Sequence, residues 1–128
     1  STDPNLLPPY SVKALAGSTT PGFADAQGAS AAFFEPNGMA VNASGEVFVA
    51  DRLNHRIRKI TSTGLVSTFA GSGNPGFLND TGVAAEFENP NGLALDSLGN
   101  LYVADEANHC IRRITPAGVV TTFAGSGI

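Results

Sequence analysis

The sequence repeats itself with a fixed period, and this repetition limits the available folds more than any other feature. The segment PNGMAVNASGEVFVADRLNHRIRKITSTGLVSTFAGSG at 36–73 aligns without a gap with PNGLALDSLGNLYVADEANHCIRRITPAGVVTTFAGSG at 90–127, 54 residues later. The alignment extends backwards, so that 16–36 matches 70–90. The replacements between the copies are conservative in size, such as Met39 for Leu93, which a shared core shape tolerates. The two copies are therefore expected to form the same structural unit.

Each copy contains four short apolar segments, which turn residues separate. In the first copy they are 38–42, 47–51, 55–60 and 65–71. Segments of this length, rich in Val, Ile, Phe and Thr and separated by Gly, Asn, Asp and Ser, are typical of strands in an antiparallel meander. A four-stranded unit repeated at this period is typical of a β-propeller blade. The sequence predicts an all-β chain with two four-stranded antiparallel blades.

The repeat divides the chain into three parts. Residues 18–71 carry a loop and the first blade, and 72–128 carry a second loop and the second blade. Residues 1–17 form an N-terminal segment, in which SVKALAGS aligns with the fourth apolar segment of each copy. This alignment predicts an extra outer strand at 11–17. Within the 72–89 linker, Phe77 and Phe87 are expected to pack the loop against the blades.

Composition excludes some classes of function. The chain has 128 residues, a net charge of −4 and 14% charged residues, which disfavours a nucleic-acid partner held by a basic face. It has no long apolar run, so no membrane-spanning helix is predicted and no membrane partner is expected. Cys110 is the single cysteine and cannot form an internal disulfide. The opening STDPNLLPPY suits a mature end left after processing, and so a secreted or periplasmic location.

Two motifs carry a family resemblance. NHRIRKI at 54–60 and NHCIRRI at 108–114, each preceded by VAD and PNG-x-A, resemble NHL repeats, and the resemblance covers residues 10–127. AGSGNPGF…AAEFENP is similar to the longer repeats of bacterial members. The resemblance implies a β-propeller, often six-bladed, in a family that serves chiefly as binding and assembly platforms. A minority are enzymes, such as a peptidyl-hydroxyglycine lyase with a metal in the central channel. Cys110 departs from the pattern, since it replaces the basic residue found at Arg56.

Two blades cannot form a closed propeller, which has 4–8 blades around its axis. An open pair would expose two apolar flanks, and large exposed apolar patches usually mean association. Head-to-tail contacts give rings when the rotation closes, so we expect a homo-oligomer. Six blades, as the resemblance implies, require a trimer, with a dimer or tetramer as the alternatives. The alternative to an oligomer is that the chain is one piece of a longer propeller.

Eight polar residues recur at equivalent positions in the two copies, and the hypothesis for them is structural. An Asp at a strand end accepts hydrogen bonds from the next turn, and an Asn caps that turn. Each Arg is expected to pair with acidic residues or carbonyls between blades. A ring of metal ligands is disfavoured, because equivalent His residues lie in separate sheets and zinc needs three or four protein ligands. These residues are Asp51, Asn54, His55, Arg58, Asp105, Asn108, His109 and Arg112.

No pattern of residues predicts catalysis, a cofactor or a metal. The predicted function is a non-enzymatic binding and assembly scaffold that associates with itself to complete a ring. The alternative is a fragment of a lyase- or lactonase-like propeller enzyme with a metal in the channel. That enzyme needs His or a carboxylate at the start of a first strand, where PNGMAV and PNGLAL have neither.

A ligand is expected at the face shared by the loops between fourth and first strands and between second and third strands. The candidate rim residues are Asn37, Arg52, Asn91 and Glu106, and the same face is expected to carry Asp25, Glu35, Asn79 and Asp80. This polar surface with an acidic lean suits a peptide or carbohydrate better than a polyanion.

Overall fold

The computed structural model describes residues 11–127 and contains two four-stranded antiparallel sheets of identical topology. Blade 1 consists of β1 (Pro36–Val41), β2 (Val47–Asp51), β3 (Arg56–Ile60) and β4 (Val66–Ala70). Blade 2 consists of β5 (Pro90–Leu95), β6 (Leu101–Asp105), β7 (Cys110–Ile114) and β8 (Val120–Ala124). In both blades the strands pair in chain order, which makes each sheet a meander. The prediction of an all-β chain with two four-stranded blades is confirmed.

The turn between the first two strands of each blade is closed by a side chain at the end of the first strand. Asn42 Oδ1 accepts hydrogen bonds from the N–H groups of Ser44 and Glu46. Asp96 Oδ1 accepts them in the same way from Leu98 and Asn100 in blade 2. Such Asx turns fix the direction of the chain at low cost, so both hairpins start in the same register.

Four short 3-10 turns complete the secondary structure of the described residues. Arg52–Asn54 and Glu106–Asn108 connect the second and third strands, while Gly28–Ser30 and Gly82–Ala84 lie in the loops before each blade. No helix between residues 11 and 127 is long and apolar enough to cross a membrane.

The main apolar core lies between the two blades. Blade 1 contributes one face of its sheet and blade 2 contributes the opposite face together with its preceding loop. The buried members are Phe48, Ala50, Ile57, Ala70, Ala85, Phe87, Leu101, Val103, Ile114 and Val120. A smaller cluster of Ala31, Val49, Ile60 and Val66 lies on the other side of blade 1, under the loop that precedes it. Burial of apolar area is the main favourable contribution to folding, so the blade boundary holds the two sheets together.

The long loop before blade 2 is bonded to both blades. Gly71 at the end of β4 donates to the carbonyl of Gly82, and Val120 of β8 donates to the carbonyl of Asp80. Phe87 is completely buried in the core, whereas Phe77 stays 42% exposed and stacks against Arg112. The expected packing of these aromatics therefore holds fully for Phe87 and only in part for Phe77.

The extra outer strand predicted at 11–17 is not formed within the described residues. Gly17 donates to the carbonyl of Gly28 in the following loop, as Gly71 does to Gly82 after β4. A fourth strand pairs with a third strand, but β3 and β7 are already paired on both edges. The segment therefore has no ladder to join. Residues 1–10 lie outside the described part.

The two innermost strands touch closely where the blades meet, and this contact generates a prediction for Gly38. A Cβ atom there would collide with the Asn91 carbonyl and lie 2.8 Å from the Gly92 Cα. At Gly92, the equivalent position, the nearest atom to an added Cβ is 3.9 Å away on Ala104. We expect Gly38→Ala to lower the free energy of unfolding by about 1–3 kcal/mol. Gly92→Ala should change it by less than about 1 kcal/mol.

Urea unfolding of both variants at high dilution measures this difference. Equal losses of stability for the two glycines would contradict the close approach of β1 and β5.

Candidate functional site

A buried ion pair joins the second and third strands of each blade. Arg58 Nη1 lies 2.6 Å from Asp51 Oδ2, and Arg112 Nη1 lies 2.6 Å from Asp105 Oδ2. All four side chains are completely buried. The β2–β3 and β6–β7 hairpins bring each pair together, because Asp ends one strand and Arg lies in the middle of the next. A buried pair is stable only when its remaining hydrogen-bonding groups are also satisfied.

The loop preceding each blade satisfies the rest of the guanidinium. Arg58 donates to the carbonyls of Ala24 and Ala32 at 2.8 Å and to the carboxylate of Asp25. Asp51 Oδ1 in turn accepts from the N–H of Phe34. The ion pair and these loop contacts are called the arginine clamp below. The clamp converts a long glycine-containing loop into a fixed part of the blade.

Blade 2 repeats the clamp with one change of charge. Arg112 donates to the carbonyls of Leu78 and Glu86 and to the amide oxygen of Asn79, which stands where blade 1 has Asp25. Asn54 and Asn108 extend the network. Each donates to the Asp of its own blade and to a loop carbonyl about 32 residues earlier, that of Gly22 or Gly76.

His55 connects the two blades through its ring. It occupies the left-handed region with φ 52°, and its Nδ1 accepts a hydrogen bond of 3.1 Å from the N–H of Asn89, just before β5. The accepting nitrogen must be unprotonated. Burial lowers the pKa of His55, and this outweighs the opposing effect of Glu88 and Asp105.

His109 occupies the equivalent position in blade 2 with φ 54°, but its side chain is exposed. Within residues 11–127 this side chain makes no hydrogen bond. In the described part of the chain, no group of three or more His, Cys, Asp or Glu side chains is placed to hold a metal ion.

The four candidate rim residues form one continuous chain of hydrogen bonds across the blade boundary. Asn37 donates to Asn91, and Asn91 donates to Glu106 Oε2 at 2.9 Å. Arg52 donates to the other oxygen of Glu106 at 3.3 Å and lies 4.0 Å from Glu35. About half of the Glu106 side chain remains exposed. The rim thus presents amide and carboxylate groups, suited to ligands that donate hydrogen bonds.

Asp25, Asn79 and Asp80 do not lie with the rim, so the expectation that one face carries all eight loop residues is wrong. Asp25 and Asn79 bind the buried guanidinium groups and also contact Thr68 and Thr122. Sequence reasoning missed this because the loop folds along its blade, where buried N–H groups need acceptors.

One surface feature was not predicted residue by residue, namely the outer flank of blade 2. Ala104, Ile111 and Ala124 line a shallow apolar hollow there, with His109 and Cys110 at its margin. Burial raises the pKa of the Cys110 thiol, which disfavours a reactive thiolate. The repeat alignment pairs Ala104, Ile111 and Ala124 of this flank with Ala50, Ile57 and Ala70 of blade 1, which are buried.

The arginine clamp generates a prediction about stability, for which the Asn79 arrangement of blade 2 supplies the control variant. Arg58→Met leaves the buried Asp51 carboxylate without its cation, and we expect a loss of about 3–5 kcal/mol in the free energy of unfolding. Asp25→Asn copies the Asn79 arrangement of blade 2 and should cost less than about 1 kcal/mol. Chemical denaturation of both variants measures the difference. A small effect of Arg58→Met would contradict the expectation that the buried Asp51 carboxylate requires its cation.

The His55 contact generates a prediction for pH. Because the folded-state pKa lies below the usual value of about 6.5, the unfolded chain binds the proton more readily. His55 therefore supports full stability above about pH 6.5 and loses it as the pH falls through the lowered folded pKa. His55→Asn keeps an acceptor and tolerates positive φ without titrating. The variant should lose less stability than the parent between about pH 7.5 and about pH 5.

Thermal unfolding across this pH range at high dilution, where copies are dissociated, is the measurement, with His109→Asn as the matched control. If His109→Asn reduces the pH dependence as much as His55→Asn, the assignment to the buried ring is incorrect.

Comparison with known proteins agrees with this geometry. The NHL repeat family matches residues 33–60 and 87–114. "Protein SUPPRESSOR OF QUENCHING 1, chloroplastic" of Arabidopsis thaliana is 36% identical over 70% of this chain and 9% of its own length. "NHL repeat-containing protein 2" of Bos taurus is 36% identical over 68% of the chain and 12% of its own length. The chain spans only about a tenth of these relatives.

Solved structures extend the comparison to the fold. An auxiliary nutrient binding protein from Bacteroides thetaiotaomicron superposes with a TM-score of 0.60 at 25% identity, over 68% of this chain and 25% of its own. Virginiamycin B lyase from Staphylococcus aureus superposes with a TM-score of 0.52 at 21% identity, over 70% and 27%, which shows the fold alone. The chain therefore belongs with the NHL-repeat proteins, and each of its two repeats forms one blade of a β-propeller.

Proposed function

We propose that this chain is a non-enzymatic propeller module for binding and assembly, and that its copies associate to complete a ring. Three chains with six blades are the expected ring, with two or four chains as the alternatives. The proposal concerns the 128-residue polypeptide and leaves open whether further blades accompany it in a longer protein.

The observation that carries the proposal is a contrast between equivalent residues of the two blades. Phe48, Ala50, Ile57 and Ala70 of blade 1 are 7%, 0%, 0% and 0% exposed, because blade 2 covers them. Their counterparts in blade 2 are Tyr102, Ala104, Ile111 and Ala124, which no blade covers. Ile111 is 37% exposed, and Phe123 on the same flank is 58% exposed.

This contrast favours association because the apolar residues are nearly the same on both flanks. An Ile and two Ala side chains recur unchanged, and Tyr102 replaces Phe48. Removing apolar area from water contributes about 25 cal/mol per Å², so a blade with the matching face would dock favourably. A contact that repeats the blade 1 to blade 2 rotation is heterologous and closes into a ring after a fixed number of blades.

The binding role rests on the rim. Glu106 and Asn37 are exposed on the face where the loops meet, and their amide and carboxylate groups suit a peptide or carbohydrate. The auxiliary nutrient binding protein of Bacteroides thetaiotaomicron, which shares the fold, is a binding protein by its name. A non-enzymatic role is favoured because the repeated Asp, Asn and Arg side chains use their polar groups inside the arginine clamps.

Solution mass tests the self-association. Light scattering during size-exclusion chromatography at micromolar concentration should give three times the 13.1 kDa mass of the chain. The mass should fall on dilution, because blade–blade contacts are non-covalent. A well-folded monomer at every concentration would contradict ring completion. A mass of two or four chains would retain self-association but contradict the six-blade ring.

A further inference from the structure

The contact between copies can be specified further, and this step rests on the proposed self-association. We propose that copies join head to tail, with blade 2 of one copy docked on blade 1 of the next in the geometry of the internal blade boundary. Glu106 then forms a hydrogen bond with Arg52 of the next copy. The His109 ring accepts a hydrogen bond from the backbone N–H of Glu35, which also belongs to the next copy. The competing arrangement is a symmetric contact of two blade 2 flanks.

Charge is the first observation that favours the head-to-tail contact. Arg52 and Glu106 occupy the same position in the two repeats, and inside the chain they bond across the boundary at 3.3 Å. Copies joined head to tail alternate Arg and Glu around the rim, so every neighbour carries the opposite charge. A symmetric contact of two blade 2 flanks with both rims on the same side brings Glu106 towards a second Glu106, and with the rims on opposite sides it leaves Glu106 without the cation of Arg52. Exposed pairs contribute little energy, but their sign selects between orientations.

The second observation is a matched donor and acceptor on the two free flanks. At the internal boundary the Asn89 N–H donates a hydrogen bond to His55 Nδ1. The backbone of Asn89 lies in the left-handed region, with φ 53°. Glu35 is the repeat equivalent of Asn89 and has nearly the same φ, 54°. Its N–H finds no acceptor within residues 11–127, and the His109 ring finds no donor there. Only the head-to-tail contact joins these two groups.

The third observation is that Gly92 has open space around its Cα, whereas the equivalent Gly38 is crowded. Inside the chain, Gly38 must lack a side chain because the backbone of Asn91 and Gly92 presses against it. Within the described residues there is no steric reason for glycine at position 92, because a Cβ added there would contact only the Ala104 Cβ, at 3.9 Å. In the head-to-tail junction, Asn37 and Gly38 of the next copy take the place of Asn91 and Gly92. A glycine is then required at 92 for the same steric reason as at 38.

The receiving flank of blade 1 offers apolar side chains of its own. Met39 and Val41 are 65% and 56% exposed on β1. Their counterparts Leu93 and Leu95 are partly buried and pack against the core between the blades. A preceding blade would cover Met39 and Val41 in the same manner. Both sides of the junction therefore have exposed residues whose equivalents are covered inside the chain.

Gly92→Ala tests the junction by adding one methyl group. We expect the variant to fold like the parent, because the space is open within one chain. Its dissociation constant for self-association should rise at least about tenfold, since a misfit of 1.4 kcal/mol already produces that change. Ser97→Ala, in the exposed β5–β6 turn at the other end of the strands, is the control and should assemble normally. Unchanged assembly of Gly92→Ala would overturn the proposed junction.

Disulfide trapping tests the orientation directly. In a Cys110→Ser background, Asn37→Cys and Asn91→Cys are made in separate chains, since these two side chains touch at the internal boundary. Head-to-tail contact predicts a covalent dimer under mild oxidation only when both variants are mixed. A covalent dimer of Asn91→Cys alone, or no covalent dimer in the mixture, would overturn the inference.

The proposed self-association and the proposed junction fail in different ways. A monomeric parent protein removes the proposed self-association, and the junction with it. An oligomeric parent whose Asn91→Cys variant cross-links to itself removes the head-to-tail junction and the closed ring, but leaves association between copies in place.

Discussion

Packing of one blade against the next is the contact on which the rest of this structure depends. A four-stranded antiparallel sheet has two faces and cannot bury either by itself. Blade 1 buries Phe48, Ala50 and Ile57 because blade 2 and its preceding loop cover that face. Within residues 11–127 this requirement is met at one boundary, between the two blades, and no described residue covers the outer flank of blade 2. The proposed self-association and the proposed junction both follow from this imbalance.

The arginine clamp gives the apolar boundary a fixed geometry. A completely buried Arg and Asp contribute little net stability as a pair, but they are strongly unfavourable if either partner is lost. The pair stabilises the fold mainly through its hydrogen bonds to the loop. Arg58 donates to the carbonyls of Ala24 and Ala32, and Asp51 accepts from the N–H of Phe34. The loop that separates successive blades thereby becomes a rigid spacer. Its length sets how one sheet meets the next, and the equivalent clamp in blade 2 repeats that spacing.

Polar residues at the boundary differ between the repeats, and these differences carry directional information. The core positions hold similar residues in both copies, whereas position 52/106 changes from Arg to Glu and position 35/89 from Glu to Asn. Identical apolar faces alone would allow blades to meet in several combinations. The charge alternation distinguishes the first blade from the second, and the His-to-backbone bond distinguishes the two flanks of a blade. In the proposed assembly the rim is both the proposed ligand surface and the part of the interface that determines the order of the blades.

The sequence by itself determined the number of blades, their strand order and the placement of most turns. Gap-free repetition at 54 residues forces equivalent packing, and the alternation of apolar segments with Gly, Asn and Asp defines the strands. Only the tertiary structure decided which partners the polar residues take. Asp25 and Asn79 look like loop residues in the sequence, yet they bind buried guanidinium groups after the loop folds back along its blade. Residues 11–17 match a fourth strand in sequence but form none, because a strand needs a neighbour with free hydrogen-bonding groups and both third strands are already paired. Local residue pattern specifies a blade, whereas contacts between segments distant in the chain specify what each polar group binds.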